Sequence, residues 1–198
     1  MSEFERLLRH HLGANYEITT TQASQLQAHY ELMMRWNPRI NLTAITNLEE
    51  AVIRHYCESI ALARALPDGP LRVIDAGSGA GFPGIPLAVM RPECTVMLVE
   101  VDIRKSIFLR ESSLCLPNCK VIQDRLQNVK DSADWLVSRA LHWQEMAKYL
   151  PPIARNVALL VSGTTAREIT QTTTVAWRHP LPLPWGDDQI VLIGAVNA

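Results

Sequence analysis

The residues that could perform chemistry are concentrated in one glycine-rich segment. It starts at Asp75, reads D-A-G-S-G-A-G-F-P-G-I-P, and ends at Pro86. Glycines allow a backbone to turn sharply and to approach a ligand closely. Pro86 suits the first turn of a helix, where no backbone N–H is required, and the free N–H groups of such a turn can bind a ligand. The segment therefore predicts a ligand-binding loop between a strand and a helix.

Two ligands that contain adenosine fit this loop. The residues from Gly79 to Gly84 match the G-x-G-x-x-G pattern of dinucleotide-binding loops, and Glu100 follows about 20 residues later, where an acid binds the adenosine ribose. Asp75 argues against NAD, because its carboxylate would lie near an anionic pyrophosphate. S-adenosylmethionine carries a sulfonium and an ammonium group, which a carboxylate attracts. The segment favours S-adenosylmethionine, with NAD and a loop that binds no ligand as the alternatives.

The composition indicates a globular chain with a single core. It has 198 residues, of which 47% are hydrophobic and 20% are charged. The N-terminal residues are acidic and polar and the apolar windows are short, so we expect no signal peptide, no membrane span, and a cytoplasmic monomer. The net charge is −1, whereas proteins that bind many phosphates usually carry a basic excess. A nucleic-acid partner would have to be recognised by clustered basic residues or by shape.

The four cysteines do not form a metal-binding pattern. Cys115 and Cys119 are spaced C-x3-C, but neither Cys57, Cys94 nor a pair of histidines completes a zinc site. We expect four buried free thiols and no metal.

The first 65 residues have the pattern of helices. Apolar residues recur at helical spacing from Leu26 to Asn37-Pro38, where we expect this helix to end. Thr46-x-x-Glu49 predicts a capping box that starts a second helix, which runs to about Ala65. The turn-forming triplet Asp68-Gly69-Pro70 then interrupts the chain.

Short apolar runs alternate with helical segments beyond this triplet. Such alternation predicts βαβ units and a parallel sheet, and the last two runs fit an antiparallel hairpin or edge strand. We therefore expect an α/β fold with a helical cap over residues 1–67 and a doubly wound domain over 68–198. The predicted strands lie at 71–75, 95–100, 120–122, 135–137, 157–161 and 189–196, with a helix over 102–115.

Four further motifs accompany the glycine-rich segment. They are Trp36-Asn37-x-x-Ile40-Asn41-Leu42-Thr43, Arg54-His55-x-x-Glu58-Ser59, Arg104-Lys105-x-x-Phe108-Leu109 and Ser138-Arg139-Ala140. Together they resemble the 16S ribosomal RNA guanine-N7 methyltransferases known as glucose-inhibited division protein B, over nearly the whole chain. The resemblance implies a Rossmann-like class I methyltransferase sheet, S-adenosylmethionine as cofactor, and 16S ribosomal RNA in the 30S subunit as partner. The implied target is N7 of a guanine, guanosine 527 in the family.

The loop and the resemblance together indicate which residues form the site. Glu100 would bind the ribose hydroxyls, the backbone of Leu126 and Gln127 would hold the adenine, and Arg139 would act at the cofactor rather than in fold stability. The expected cofactor-binding residues are Asp75, Gly77, Ser78, Gly79, Gly81, Phe82, Glu100, Leu126, Gln127 and Arg139. The candidates for RNA contacts are Asn41, Arg54, His55 and Ser59, at the mouth of the pocket, with Arg104 and Lys105.

The implied reaction needs no general base. Guanine N7 has an in-plane lone pair that is unprotonated at neutral pH, so it can attack a sulfonium methyl group directly. Catalysis then consists mainly of aligning the reacting atoms. We therefore name no catalytic base in this sequence.

The chain departs from the family where basic residues are usual. Ser162 replaces a lysine in Val161-Ser162-Gly163, and Asp187-Asp188-Gln189 replaces a stretch that carries Arg-His. Glu58 and Gln127 replace a common Asp and a common Glu. The missing basic groups leave a non-catalytic cofactor- or RNA-binding module as one alternative to a methyltransferase. An NAD-dependent oxidoreductase is the other, and it rests on the spacing of the glycine-rich segment. For an active enzyme the missing basic groups favour assembled small subunits over naked RNA as substrate.

Overall fold

The computed structural model describes residues 1–14, 16–139, 142–171, 174–186 and 188–197. The helices are α1 (Glu3–Leu12), α2 (Thr20–Ile40), α3 (Leu48–Ala51), a π-helical segment (Val52–Cys57), α4 (Glu58–Ala65), α5 (Gly84–Met90), α6 (Ile103–Ser112), α7 (Trp143–Met146), α8 (Leu150–Ile153) and α9 (Gly163–Thr170). The strands are β1 (Arg72–Ala76), β2 (Thr95–Glu100), β3 (Cys119–Gln123), β4 (Ala133–Ser138), β5 (Ala154–Ser162), β6 (Val175–Trp177), β7 (Leu181–Pro182) and β8 (Gln189–Val196). Short 3-10 turns lie at Leu126–Asn128 and Ala147–Tyr149.

The end of α2 differs from the sequence prediction. The helix passes through Asn37-Pro38 and ends at Ile40. A proline removes only one backbone donor, and its cost is reduced this close to the end of a helix. Asn41 then closes the helix in a left-handed conformation with φ of 49°, which asparagine adopts more readily than most residues.

The start of α3 also differs by one residue from the predicted capping box. Asn47 is the N-cap, and its side chain accepts a hydrogen bond from the backbone N–H of Glu50, so Thr46 is outside the helix. The helical path then continues through the π-helical segment and α4 to Ala65, where the sequence predicted its end.

The strands form one mixed sheet in the order β3-β2-β1-β4-β5-β8-β6, with β7 paired to β8. The first five strands in the chain run parallel, and β8 runs antiparallel to β5. The predicted α/β class with a mostly parallel sheet is confirmed. The short strands β6 and β7, which the sequence did not predict, pair with β8 on its outer side.

Both faces of the sheet are covered by helices. One face shares a continuous apolar core with α1, α2, α4, α5 and α6, which includes Leu26, Ile60 and Leu98. The other face packs on α7, α8 and α9 around Leu136 and Val157. Because both faces are buried, the central strands are apolar at nearly every position, as is typical of parallel sheets. The N-terminal helices therefore pack directly on the sheet.

All four cysteines are free thiols. Cys57 and Cys94 are buried and Cys119 is half-buried. Cys115 is exposed just beyond the end of α6, so the expectation of four buried thiols was wrong at this position. Within the described residues, no helix combines the length and the apolar character needed to cross a bilayer.

Candidate functional site

A cavity of about 840 Å³ opens where the parallel strands β1, β2 and β4 end. We call it the first cavity. Eight of the ten residues expected at the cofactor contribute to its wall: Gly77, Ser78, Gly79, Phe82, Glu100, Leu126, Gln127 and Arg139. The other lining residues are Leu42, His55, Ala80, Val99, Val101, Lys105, Asp124, Arg125, Glu145, Met146, Lys148 and Tyr149. Ligands of α/β sheets bind at this edge, because the loops that follow the strands converge there.

The glycine loop is shaped by its own backbone. Gly77 and Gly79 have φ of 69° and 57°, in the left-handed region that glycine adopts without strain. The N–H groups of Gly77 and Ser78 both donate to the carbonyl of Val99 at 3.0 Å, which joins the loop to the end of β2. A Cβ on Gly79 would meet only the carbonyl of Gly77, at 3.8 Å, so the space beside it is open.

Glu100 at the end of β2 lies 7% exposed in the wall of the cavity. Its Oε2 accepts the N–H of Gly79 at 2.9 Å, and its Oε1 accepts the N–H of Asp102 at 2.8 Å. Each carboxylate oxygen can accept more than one hydrogen bond. The two oxygens are thus held in place by the backbone and can still accept from a pair of hydroxyl groups.

Asp75 lies behind the loop and not on the cavity wall, contrary to the sequence expectation. It is fully buried, and its Oδ2 accepts the hydroxyl of Ser78 at 2.6 Å and the N–H of Gly84 at 3.0 Å. Burial raises the pKa of Asp75 to about 7. The carboxylate therefore braces the loop, and its charge is not available to a ligand in the way that the sequence argument required.

Gly81 is likewise absent from the cavity wall. A Cβ there would lie 2.5 Å from Cδ1 of Ile85 and 3.2 Å from Nε2 of His29, so glycine is needed for packing beneath the loop. His29 is a residue that the sequence analysis missed. Its Nε2–H donates to the carbonyl of Ala80 at 3.0 Å, and its Nδ1 accepts from the hydroxyl of Tyr56 at 2.9 Å. The sequence did contain an indication of this role, because His29 is a polar residue on the otherwise apolar face of α2.

His55, in the π-helical segment, joins the N-terminal helices to the cavity. Arg139 can only donate, so its Nη1 donates to Nδ1 of His55 at 2.8 Å, and the Nε2–H of His55 then donates to Oγ1 of Thr43 at 2.8 Å. The ring stacks on Phe82 with the ring centroids 4.6 Å apart. Burial, reinforced by the charges of Arg139 and Arg54, lowers the pKa of His55 to about 3. The imidazole is therefore neutral, and both of its nitrogens are occupied.

Glu58 forms a buried ion cluster with two arginines. Its side chain is fully buried, with Nε of Arg54 3.2 Å from Oε1 and Nη2 of Arg139 3.5 Å from Oε2. Burial raises the pKa of Glu58, and the two guanidinium groups oppose that shift. Arg54, one helical turn before Glu58, is partly exposed, whereas the carboxylate that it contacts is buried. Arg139 also lies beside this carboxylate, so we now expect it to contribute to fold stability as well as to the cavity wall.

The remaining candidates for RNA contacts are dispersed. Lys105 lines the first cavity, whereas Arg104 is exposed outside it. Asn41 is the exposed residue that ends α2 as its C-cap, and it does not line the cavity. Ser59 is fully buried and donates to the carbonyl of His55 at 2.5 Å, so it does not face the mouth of the pocket.

A second cavity of about 490 Å³ lies at the ends of β4 and β5. Among the described residues, Arg139 is shared by both cavities. Two positions where the chain departs from its resemblance line this second cavity, Ser162 and Gln189, and they are paired in register across β5 and β8. Ala140 and Asp187 lie outside the described residues. The lining residues are Arg54, Ser138, Arg139, His142, Trp143, Gln144, Leu159, Leu160, Val161, Ser162, Thr165, Glu168, Ile169 and Gln189.

The comparison with protein families agrees with this arrangement. The family described as rRNA small subunit methyltransferase G matches residues 22–177. The chain belongs to this family. The match includes nearly all of α2, the glycine loop, Glu100 and Arg139, and so contains most of the walls of both cavities.

Relatives within the methyltransferase G family are about a third or more identical to this chain over the residues that align. The "Ribosomal RNA small subunit methyltransferase G" of Nitrosococcus oceani is 38% identical over 128 residues, which are 63% of this chain and 59% of the relative. That of Nitrosomonas europaea is 42% identical over 59% of this chain and 56% of the relative. That of Neisseria gonorrhoeae is 34% identical over 76% of this chain and 72% of the relative. The chain thus matches less than two thirds of the length of the first two relatives.

Solved structures support the same fold. A SAM dependent methyltransferase from Aquifex aeolicus has a TM-score of 0.63 and 12% identity, over 85% of this chain and 98% of that one. A ribosomal protein L11 methylase from Lactobacillus delbrueckii has a TM-score of 0.61 and 13% identity, over 73% of this chain and 80% of that one.

Proposed function

We propose that this chain transfers a methyl group from S-adenosylmethionine to N7 of a guanine in 16S ribosomal RNA. The observation that carries the proposal is the first cavity, in which an open glycine loop faces a carboxylate held by two backbone N–H groups. Membership of the methyltransferase G family supports the same reaction and the same substrate class. The proposed substrate is the assembled 30S subunit, and the proposed site is the family target, guanosine 527.

The residues of the first cavity fit S-adenosylmethionine. The volume of this cavity, about 840 Å³, lies within the range of small-molecule binding sites, roughly 300 to 1,000 Å³. Glu100 would accept the two ribose hydroxyls, and the turn at Leu126–Asn128 would present backbone groups to the adenine. The open space beside Gly79 would admit the ligand close to the backbone. When bound there, this cofactor supplies an electrophilic methyl group.

The protein's part in the reaction would be alignment. Guanine N7 would form the new bond to the methyl carbon with its own lone pair while the carbon–sulfur bond breaks and the sulfur keeps that electron pair. No proton leaves the base. His55 fits this scheme, because a neutral ring with both nitrogens in hydrogen bonds cannot act as a general base. Arg139 and His55 would instead define one wall beside the reacting atoms.

The charges explain the proposed preference for assembled subunits. Several arginines are already engaged with acids, including Arg9 with Glu5 and Arg91 with Glu93. Four basic residues line the first cavity, but three acids line it too and the net charge of the chain is −1, so the basic excess there is small. Recognition would rest on the shape of a folded RNA and on an unpaired base. The slope of log affinity against log salt should then be roughly 2 to 4 on naked RNA.

Calorimetry and methyl transfer test the proposal together. We expect the chain to bind S-adenosylmethionine, and labelled methyl to reach 30S subunits that lack the family modification, with aniline cleavage locating one N7-methylguanine. Glu100→Gln should weaken cofactor binding about 10-fold or more, since a charged acceptor is lost. Glu111→Gln makes the same change at an exposed helix position and should leave affinity unchanged. Methyl found on a ribose or a pyrimidine would defeat the substrate assignment.

A further inference from the structure

The proposed cofactor site is the first cavity, and the second cavity adjoins it without contributing to cofactor binding. Arg139 lines both cavities, and Ser138 and Ser162, which end the parallel strands β4 and β5, lie in the wall of the second. A group that enters the second cavity would therefore meet the first cavity beside Arg139. We propose that the second cavity is the subsite for the acceptor guanine and that Glu168 reads its base. This inference rests on the proposed methyl transfer.

The side chains in this cavity complement the edge of guanine that remains free during attack. The Watson–Crick edge of an unpaired guanine presents N1–H and N2–H donors beside the O6 acceptor, and N7 lies on the opposite side of the ring system. Glu168, on α9, lines the second cavity only, and its carboxylate can accept from N1–H and N2–H together. With that edge against Glu168, N7 would face Arg139 and the first cavity. The amide of Gln189 can donate to O6.

The electrostatics favour a neutral base over a phosphate group. The two cations of the second cavity, Arg54 and Arg139, already share the buried carboxylate of Glu58, at 3.2 and 3.5 Å. Ser162 and Gln189, which face each other across β5 and β8, add no charge. Glu168 adds a negative charge that would repel a phosphate. The cavity thus provides hydrogen bonds without a surplus of positive charge, as a nucleobase requires.

The local structure holds this wall in a defined shape. The hydroxyl of Ser162 accepts the N–H of Thr165 at 3.1 Å and so starts α9, the helix that carries Glu168. The N–H of Gly163 donates to the carbonyl of Asp188 at 2.7 Å, next to Gln189. The strand end that carries Gln189 and the helix that carries Glu168 are therefore tied together at one corner of the cavity.

The test changes the proposed contact from both sides, the carboxylate of Glu168 in the protein and the 2-amino group of the base in the RNA. Wild-type protein, Glu168→Gln and the control Glu111→Gln are assayed on 30S subunits reconstituted with guanosine or inosine at the position that aniline cleavage identifies. Inosine lacks the 2-amino group and keeps N7. We expect the wild type and Glu111→Gln to prefer guanosine about 10-fold or more, as one hydrogen bond to a charged group is worth that much. Glu168→Gln should lower the rate with guanosine about 10-fold and reduce the preference to less than about 3-fold.

Each other outcome overturns the inference in a recognisable way. A Glu168→Gln variant that keeps both the rate and the preference removes the role of Glu168 and leaves the proposed function intact. A faster rate in that variant would point to a phosphate as occupant, since a repulsive charge would have been removed. Loss of S-adenosylmethionine affinity or of thermal stability in Glu168→Gln would assign the residue a structural role. Failure of the wild type to methylate any guanine would defeat the proposed function and this inference together.

Discussion

The two cavities that meet at Arg139 are built in different ways. The glycine loop of the first cavity is one short stretch of chain, shaped by left-handed glycines and by hydrogen bonds to the end of the next strand. The second is built from side chains of separate helices and strands, brought together by β5 and β8 and by the helical segment that carries Arg54. Damage to the first should therefore affect ligand binding more than folding, and damage to the shared wall should affect both.

Two buried carboxylates show the same contrast. Asp75 behind the first cavity is held by a hydroxyl and a backbone N–H, and burial raises its pKa to about 7. Glu58 behind the second cavity is held by two guanidinium groups that oppose the effect of burial. One carboxylate is thus stabilised by dipoles within its own loop, the other by two charges, one from the preceding helical turn and one from the residue that follows β4. The following predictions separate these two designs.

The largest effect is expected from Arg139→Ala. The change leaves Glu58 with one partner fewer in a fully buried position, which should cost roughly 3–5 kcal/mol of unfolding free energy. Denaturant unfolding of the ligand-free protein measures it. Adding Glu58→Gln to the variant should recover part of the loss, because the uncompensated charge is removed. If Arg139→Ala unfolds at the wild-type denaturant concentration, the shared wall does not support the fold.

The pH dependence of stability should identify Asp75. Its folded pKa of about 7 is above the ordinary value of 3.8, so the folded state holds the proton more tightly, and the stability present below about pH 4 is lost as pH rises towards 7. Relative to Asp75→Asn, which can keep both hydrogen bonds, the wild type should lose roughly 2–3 kcal/mol between pH 5 and pH 8. Urea unfolding of both proteins at both pH values checks this. The lowered pKa of His55 changes stability with pH in the opposite direction, but both proteins contain His55, so its contribution cancels in the comparison. Parallel pH profiles would contradict the prediction.

A matched pair of glycine variants should separate binding from folding at the first cavity. Gly79 and Gly69 have φ of 57° and 93°, and neither has a close neighbour at its Cβ position. Alanine at either position should cost roughly 1–2 kcal/mol of stability through backbone strain. Only Gly79→Ala should also weaken S-adenosylmethionine binding, by about 10-fold, because its methyl group points into the space that the ligand would occupy. Equal affinities in the two variants, measured by calorimetry, would remove the loop from the binding site.

The smallest effect is expected from Ser162→Ala. The variant loses the N-cap of α9, which should cost about 1 kcal/mol. Cofactor affinity should not change, because Ser162 lines the second cavity only. Thermal unfolding and calorimetry on the same sample test both parts. A loss of cofactor affinity would show that the two cavities are more strongly coupled than their separate construction suggests.

The parts predicted well from sequence are those with local causes. The strands β2 and β8 lie where the apolar runs indicated, and the helix after β2 begins at the side chain of Asp102, which accepts the N–H groups of Arg104 and Lys105. The direction in which a side chain points could be predicted less well from the sequence. The sequence placed Asp75 at the ligand, but the loop turns back so that Ser78 and Gly84 enclose the carboxylate.

The sequence by itself determined the fold class, the glycine loop and Glu100, because hydrophobic periodicity and glycine conformation act over a few neighbouring residues. Only the tertiary structure decided that His29 supports the loop through Ala80, that Arg139 joins Glu58 to His55, and that Ser162 faces Gln189. These contacts join segments far apart in the chain, and their register depends on how the helices pack on the sheet. A local pattern can show that a charged or polar residue is present, but the packing of the whole chain determines which partner it meets.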